Sequence, residues 1–146
     1  TTTETDDEFS GVWFIELDGG PQPALTLPTL AAGWNYEGWA VIDGVPYSTG
    51  TFRTASGSDD AATFSGPNPG PPFPGEDFIQ GGTTVTFPTD LRGATIVISV
   101  EPDPDNEMAP FALKPLVGNV PANALDHVSF DLGQNLVDIP TGTVTR

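Results

Sequence analysis

Trp34–Ile42 reads WNYEGWAVI, runs into Asp43-Gly44, and is followed by VPYSTGTFR over Val45–Arg53. Alternation along the first segment puts Trp34, Tyr36, Ala40 and Ile42 on one side of a strand. Asn35, Glu37, Trp39, Val41 and Asp43 fall on the other. Both sides carry apolar bulk, which predicts a central strand with its polar end toward a rim. Asp43-Gly44 is the strongest hairpin signal in the chain, because glycine tolerates the positive φ that a two-residue turn requires. Val45–Arg53 then returns antiparallel to the first segment. Pro46 has no N–H to give to a ladder and is confined near the start of that strand.

Outward from this hairpin the chain is a series of short β-rich runs. Upstream lie Gly11–Leu17 (GVWFIEL), closed by the turn cluster Asp18-Gly19-Gly20-Pro21, and Ala24–Leu27 before Pro28. Downstream, residues 54–82 hold no clear period and include SGPNPGPPFPGEDF at 65–78, where proline favours polyproline II and turns. Phe64, Phe73 and Phe78 predict that this long loop packs across the body of the fold. Thr83–Phe87 resumes strand character, and Ala94–Glu101 (ATIVISVE) alternates with Ala94, Ile96, Ile98 and Val100 on one face and Thr95, Ser99 and Glu101 on the other. Phe111–Val117, Val128–Leu132 and Thr143–Thr145 are further candidate strands. The one candidate helix is a turn near Ala122–Asp126, introduced by Pro121. Roughly eight or nine short strands with almost no helix predict an all-β fold: an antiparallel β-sandwich with a long Pro/Gly-rich loop, or second to that a barrel.

Length and composition agree. The 146 residues suffice for one domain, expected over residues 9–146. Thr1–Glu8 (TTTETDDE) reads as a disordered acidic tail, the side on which a removed upstream segment would have tethered the chain to a membrane. The 17 Gly and 16 Pro are together roughly twice the usual share. Aromatics at 10% argue against disorder. Four Lys and Arg against 20 Asp and Glu leave a formal charge of -16, which excludes phosphate-driven binding to nucleic acid and docking on an anionic membrane. No cysteine is present, so disulfides and thiolate-held metals are excluded. No apolar run is long enough for a transmembrane segment.

Catalytic chemistry finds little purchase. The one histidine, His127, has Asp126 and Ser129 nearby, but neighbouring strand residues point apart and no nucleophile-elbow glycines surround Ser129. There is no phosphate-binding loop or dinucleotide fingerprint, and the acids carry no spacing that marks a glycosidase pair. No catalytic residue and no cofactor are expected; the chain reads as non-enzymatic. Trp13, Trp34, Tyr36 and Trp39 are either core or a stacking platform for sugar rings, with Trp39 the candidate for exposure. Glu101–Glu107 (EPDPDNE) is the densest acidic loop. It reads as a solvated connection, with Asp103, Asp105 and Glu107 the carboxylates a calcium ion would use; Met108 departs from the EF-hand pattern.

Tyr36-x-x-Trp39, Asp43-Gly44-x-Pro46 and Ser48-x-Gly50-x-Phe52, with the strand end Val100-Glu101-Pro102 and the segment Ala109–Gly118, resemble the anti-sigma-K factor C-terminal family. The resemblance spans roughly Gly11 to Gly118, with a shorter match at Pro140–Val144. It implies the extracytoplasmic β-rich part of a signalling protein, secreted or lipoprotein-anchored at the cell surface. It implies too that Trp39 and Phe52 serve packing and Gly44 and Gly50 backbone geometry. The sigma-binding module and membrane helix of that family have no counterpart here. The implied function is therefore sensing, or binding an unknown protein or surface ligand. A carbohydrate-binding or carbohydrate-active β-sandwich module is the alternative.

Overall fold

The computed structural model describes residues 7–67, 70–137 and 139–146. The acidic tail expected at 1–8 therefore lies, over residues 1–6, outside the described residues. Among the described residues the fold is all-β. In chain order the strands are β1 (Gly11–Trp13), β2 (Ile15–Glu16), β3 (Gln22–Pro23), β4 (Trp34–Ile42), β5 (Val45–Phe52), β6 (Gly75–Asp77), β7 (Thr95–Pro102), β8 (Leu116–Asn119) and β9 (Gly133–Gln134). A five-stranded sheet has the order β5-β4-β7-β8-β9, and β1-β6 and β2-β3 form two small sheets. Every pairing is antiparallel. Among the described residues no helix is long and apolar enough to cross a membrane.

The β4–β5 hairpin turns at Asp43 (φ 52) and Gly44 (φ 80), the double positive φ of a type I′ turn. Ile42 then pairs with Val45, and Pro46 with Val41, on the outermost strand. The register shifts once: Gly38 faces Gly50 but Trp39 faces Ser48, leaving Thr49 as an extra residue on β5. This bulge reverses the phase of β5. Tyr47 and Phe52, an odd number of positions apart, consequently both reach the core. Gly50 follows the bulge at φ 113, and a Cβ there would lie 2.7 Å from Asp59 Cγ.

β7 pairs with β4 from Trp34↔Pro102 to Val41↔Thr95. One face of these strands is apolar: Tyr36, Ala40, Ile42, Ile96, Ile98 and Val100 pack with Tyr47, Phe52, Val12, Phe14, Phe78 and Leu91. The other face is buried as well, yet largely polar, with Asn35, Glu37, Ser99 and Glu101 beside Trp39 and Val97. Among the described residues of the 54–82 stretch only β6 is a strand. Phe64 and Phe78 join Tyr47 and Phe87 in an aromatic cluster, with ring centroids 5.0 Å apart for Tyr47–Phe87 and 5.4 Å for Phe64–Phe87.

Several expected elements are corrected. Gly11–Leu17 divides at Phe14, whose N–H bonds to Pro74 O while its own carbonyl accepts from Ala24 N; the chain thus changes partner from β6 to β3. Ala24–Leu27 is not a strand; Leu25 and Leu27 pack against the core from irregular backbone. Thr83–Phe87 is not one either, because the amides of Thr84 and Val85 donate to the Tyr47 hydroxyl (3.2 and 2.9 Å) instead of a neighbouring strand. Strands expected at Phe111–Val117 and Val128–Leu132 begin later, as β8 and β9, and Thr143–Thr145 is outside any sheet. In place of the expected helical turn at Ala122–Asp126 there are two separate turns, one closed by Ala124 N to Pro121 O at 2.9 Å and one at Asp126-His127, where His127 has φ 56.

Ile98 is fully buried, whereas Thr95 at the strand start is partly exposed. Ile98→Ala is expected to lower unfolding free energy by about 2–5 kcal/mol in urea titrations, and Thr95→Ala by much less. Gly44→Val is expected to lower the thermal midpoint, because a β-branched residue resists the turn's positive φ.

Candidate functional site

The polar face of the sheet is where chemistry concentrates. Alternation turns Glu37 and Trp39 of β4 to this side, and the register sets Glu37 opposite Ser99 and Asn35 opposite Glu101. The Trp39 indole Nε1 donates to Ser99 Oγ at 2.8 Å, and Ser99 Oγ in turn donates to Glu101 Oε1. That same oxygen accepts the backbone N–H of Phe111 at 2.8 Å, tying the following loop to the sheet. Glu101 Oε2 is fully buried and has no hydrogen-bond partner among the described residues. Across the sheet, Ser48 Oγ donates to Glu37 Oε1 and itself accepts from Gly50 N at 3.0 Å. Asp105 comes in from the loop after β7, its Oδ1 holding Glu107 N at 3.0 Å. Carboxylate oxygens of Glu37, Glu101 and Asp105 lie within 4.8 Å of one another.

Burial pushes the Glu37 carboxyl up to about 7; the Ser48 hydroxyl pulls it back in part, and the charges of Glu101 and Asp105 raise it further. Such a group of oxygens can hold a proton or a hard cation. Beside it, Arg53 Nη1 donates to Asn35 Oδ1 at 3.1 Å and lies 3.7 Å from Asp103 Oδ2. Trp34 and Phe111, 39% and 45% exposed, stand with ring centroids 6.4 Å apart and planes tilted by 50°.

Of the three loop acids singled out from sequence, only Asp105 enters this group. Asp103 turns to Arg53, and Glu107 is exposed. The loop is not a wholly solvated connection either, since Glu101 is buried at its root. Trp39, the candidate for exposure if the aromatics formed a platform, is 2% exposed and belongs to the packing, whereas Trp34 is 39% exposed. His127 is exposed and pairs with Asp126 at 2.6 Å. Glu37 was legible only as a polar residue on a mixed face. The sequence signal for it is its separation from Glu101 by two strands whose ladder sets them on one side.

A second acidic group borders a cleft of about 440 Å³ lined by Trp13, Asp59, Asp60, Ser65, Pro71 and Phe73 among others. Ser65 Oγ donates to Glu76 Oε1, and Phe64 N donates to Glu76 Oε2 at 3.2 Å. Trp13 Nε1 donates to Asp77 Oδ1 at 2.7 Å. Asp59 Oδ2 accepts Gly75 N at 2.9 Å. Burial raises the Asp59 carboxyl to about 6, opposed by the Gly75 amide and reinforced by the Glu76 charge; burial raises Glu76 too.

No protein-family model, no curated protein and no solved structure matches the chain.

The raised carboxyls set the sign of a pH dependence. Between the ordinary and raised values the folded state holds protons that the unfolded chain releases, so stability falls as pH rises through about 6 to 7. In EDTA the thermal midpoint should be higher at pH ~5 than at pH ~8. Asp59→Asn, which keeps an acceptor for Gly75 N, should shrink that difference; an unchanged difference would show that Asp59 burial does not contribute.

Proposed function

We propose that this chain is a non-enzymatic, extracytoplasmic sensing or partner-binding domain, similar to the exported part of an anti-sigma factor. Its five-stranded sheet and the chain packed over it correspond in this reading to a β-sandwich crossed by a long Pro/Gly-rich loop. The supporting observation is how the residues of the resemblance are used. Trp39 and Phe52 are buried, and Gly44 and Gly50 have positive φ, so the shared residues build a frame and leave recognition to the loops. The loop between β7 and β8 then offers recognition surface: Met108, Phe111 and Leu113 are exposed, and Phe111 meets Trp34 of β4. Exposed apolar groups of this kind suit a protein partner. The charge of -16 disfavours nucleic acid as that partner.

A carbohydrate-binding module is the second reading, favoured by the Trp13-lined cleft with Asp59 and Asp60 at its wall. Weighing against it, the exposed Trp34 and Phe111 rings are tilted rather than coplanar.

The experiment is to add a C-terminal epitope to the protein in its native gene, then treat intact cells with protease. Loss of the epitope from intact cells, or its release to the medium, is expected; protection until lysis would overturn the extracytoplasmic reading. On a glycan array the purified domain should show no binding. Glycan binding abolished by Trp13→Ala would transfer the assignment to the carbohydrate reading.

A further inference from the structure

We propose that Glu37, Glu101 and Asp105 form a binding site for a divalent cation of the calcium class, holding the loop after β7 against the sheet. The inference stands apart from where the domain resides and from what partner it meets.

Two independent observations carry it. The first is the cluster: oxygens from three carboxylates within 4.8 Å of one another. Two oxygens on opposite sides of a calcium ion, each at roughly 2.3–2.6 Å, would be separated by about that span. The second is Glu101 Oε2, which is buried and without a donor among the described residues. Oε1 of the same carboxylate is supplied by Ser99 Oγ and Phe111 N, so the pocket feeds one oxygen and leaves the other for a group the chain does not provide. Among the described residues no lysine or arginine forms an ion pair with any of the three acids. Arg53 is already engaged with Asn35 Oδ1, Asp103 Oδ2 and, at 3.5 Å, Ala31 O.

The donor set selects the cation. All three ligands are carboxylate oxygens, with no imidazole or thiolate beside them, which suits a hard cation rather than zinc or copper. Glu37 and Glu101 are fixed on paired strands, whereas Asp105 belongs to a loop and is only half-buried. An irregular site with one adjustable ligand and room for water on the Asp105 side fits calcium better than magnesium, which demands near-octahedral geometry. Because Phe111 N bonds to Glu101, a cation there would also steady the loop that carries the exposed Phe111.

The test uses the whole chain, freed of metal with EDTA and exchanged into sodium chloride buffer. Calorimetric titration with calcium chloride should show one ion per chain. Terbium should bind at the same place and emit when tryptophan is excited, since Trp39 is linked to Glu101 through one serine, and calcium should quench that emission by displacement. Asp105→Asn, at a position the fold buries only in part, should weaken calcium by about tenfold or more while circular dichroism stays unchanged. The control Asp103→Asn with Glu107→Gln should leave binding intact. Should Asp105→Asn perturb the fold, Glu37→Gln serves as the second variant. The proposal is overturned by an absence of calcium heat and sensitised emission up to ~10 mM, beyond the range of weak extracellular sites. It is overturned equally by binding that Asp105→Asn and Glu37→Gln leave unaltered, which would mark diffuse attraction to an acidic surface.

Discussion

β4 is hydrogen-bonded along both of its sides and buried on both of its faces, and the rest of the fold is arranged to satisfy it. A strand so enclosed tolerates no slip, since moving it by one residue would carry Tyr36, Ala40 and Ile42 to the polar side and Glu37 into the aromatic core. The Asp43-Gly44 turn sets its register with β5 at one end. The single extra residue at Thr49 then corrects the phase so that Tyr47 and Phe52 meet the same core. Tyr47 goes further: its ring packs on Phe64, Phe78 and Phe87, and its hydroxyl takes two amides from irregular backbone. One side chain of the hairpin thereby organises much of the chain that has no sheet of its own.

The two faces of the sheet are held by different physics. On the apolar side, removal of hydrocarbon from water is the driving force and its geometry is forgiving. On the polar side, each buried group needs a directed partner, because an unmet donor or acceptor in a low dielectric costs more than a made bond returns. The relay from Trp39 through Ser99 to Glu101 and on to Phe111 is one solution; Ser48 against Glu37 is another. Carboxylates are the least economical residues for filling such a layer. Their presence there, with burial shifting Glu37 up to about 7, marks this face as one not optimised for stability alone.

The hairpin and the β7 strand were legible because their signals are local: Asp43-Gly44 names its turn, and Ile96, Ile98 and Val100 alternate without interruption. The aromatic residues of the 54–82 stretch likewise indicated packing through Phe64 and Phe78. Short strands were misplaced where pairing is decided at a distance, as at Phe14, where the backbone exchanges β6 for β3, and at Thr83–Phe87, whose amides are taken by a hydroxyl some 37 residues away. The acidic site was half legible. The 101–107 loop stood out by density, and Asp105 belongs to the group. Glu37 comes from a strand 64 positions before Glu101 in a different part of the sequence, and only the β4–β7 ladder brings them together. Whether Trp39 was core or platform stayed open in the sequence, because bulk on both faces of a strand does not say which face a loop will cover.

The outer side of β5 bears on how copies of this molecule treat one another. A sheet margin with regularly spaced free amides and carbonyls is a template on which a second chain can add a strand. Here Pro46 has no amide to offer, the bulge at Thr49 breaks the spacing, and the Thr51 carbonyl is taken by Asp60 N at 2.9 Å. The opposite margin ends in β9, two residues long and flanked by irregular backbone. Both margins are thus poor templates for self-propagation, β5 through its backbone chemistry and β9 through its shortness, independently of the repulsion that 16 excess negative charges supply. High salt, which screens charge but leaves a missing amide missing, would remove only the second of these safeguards.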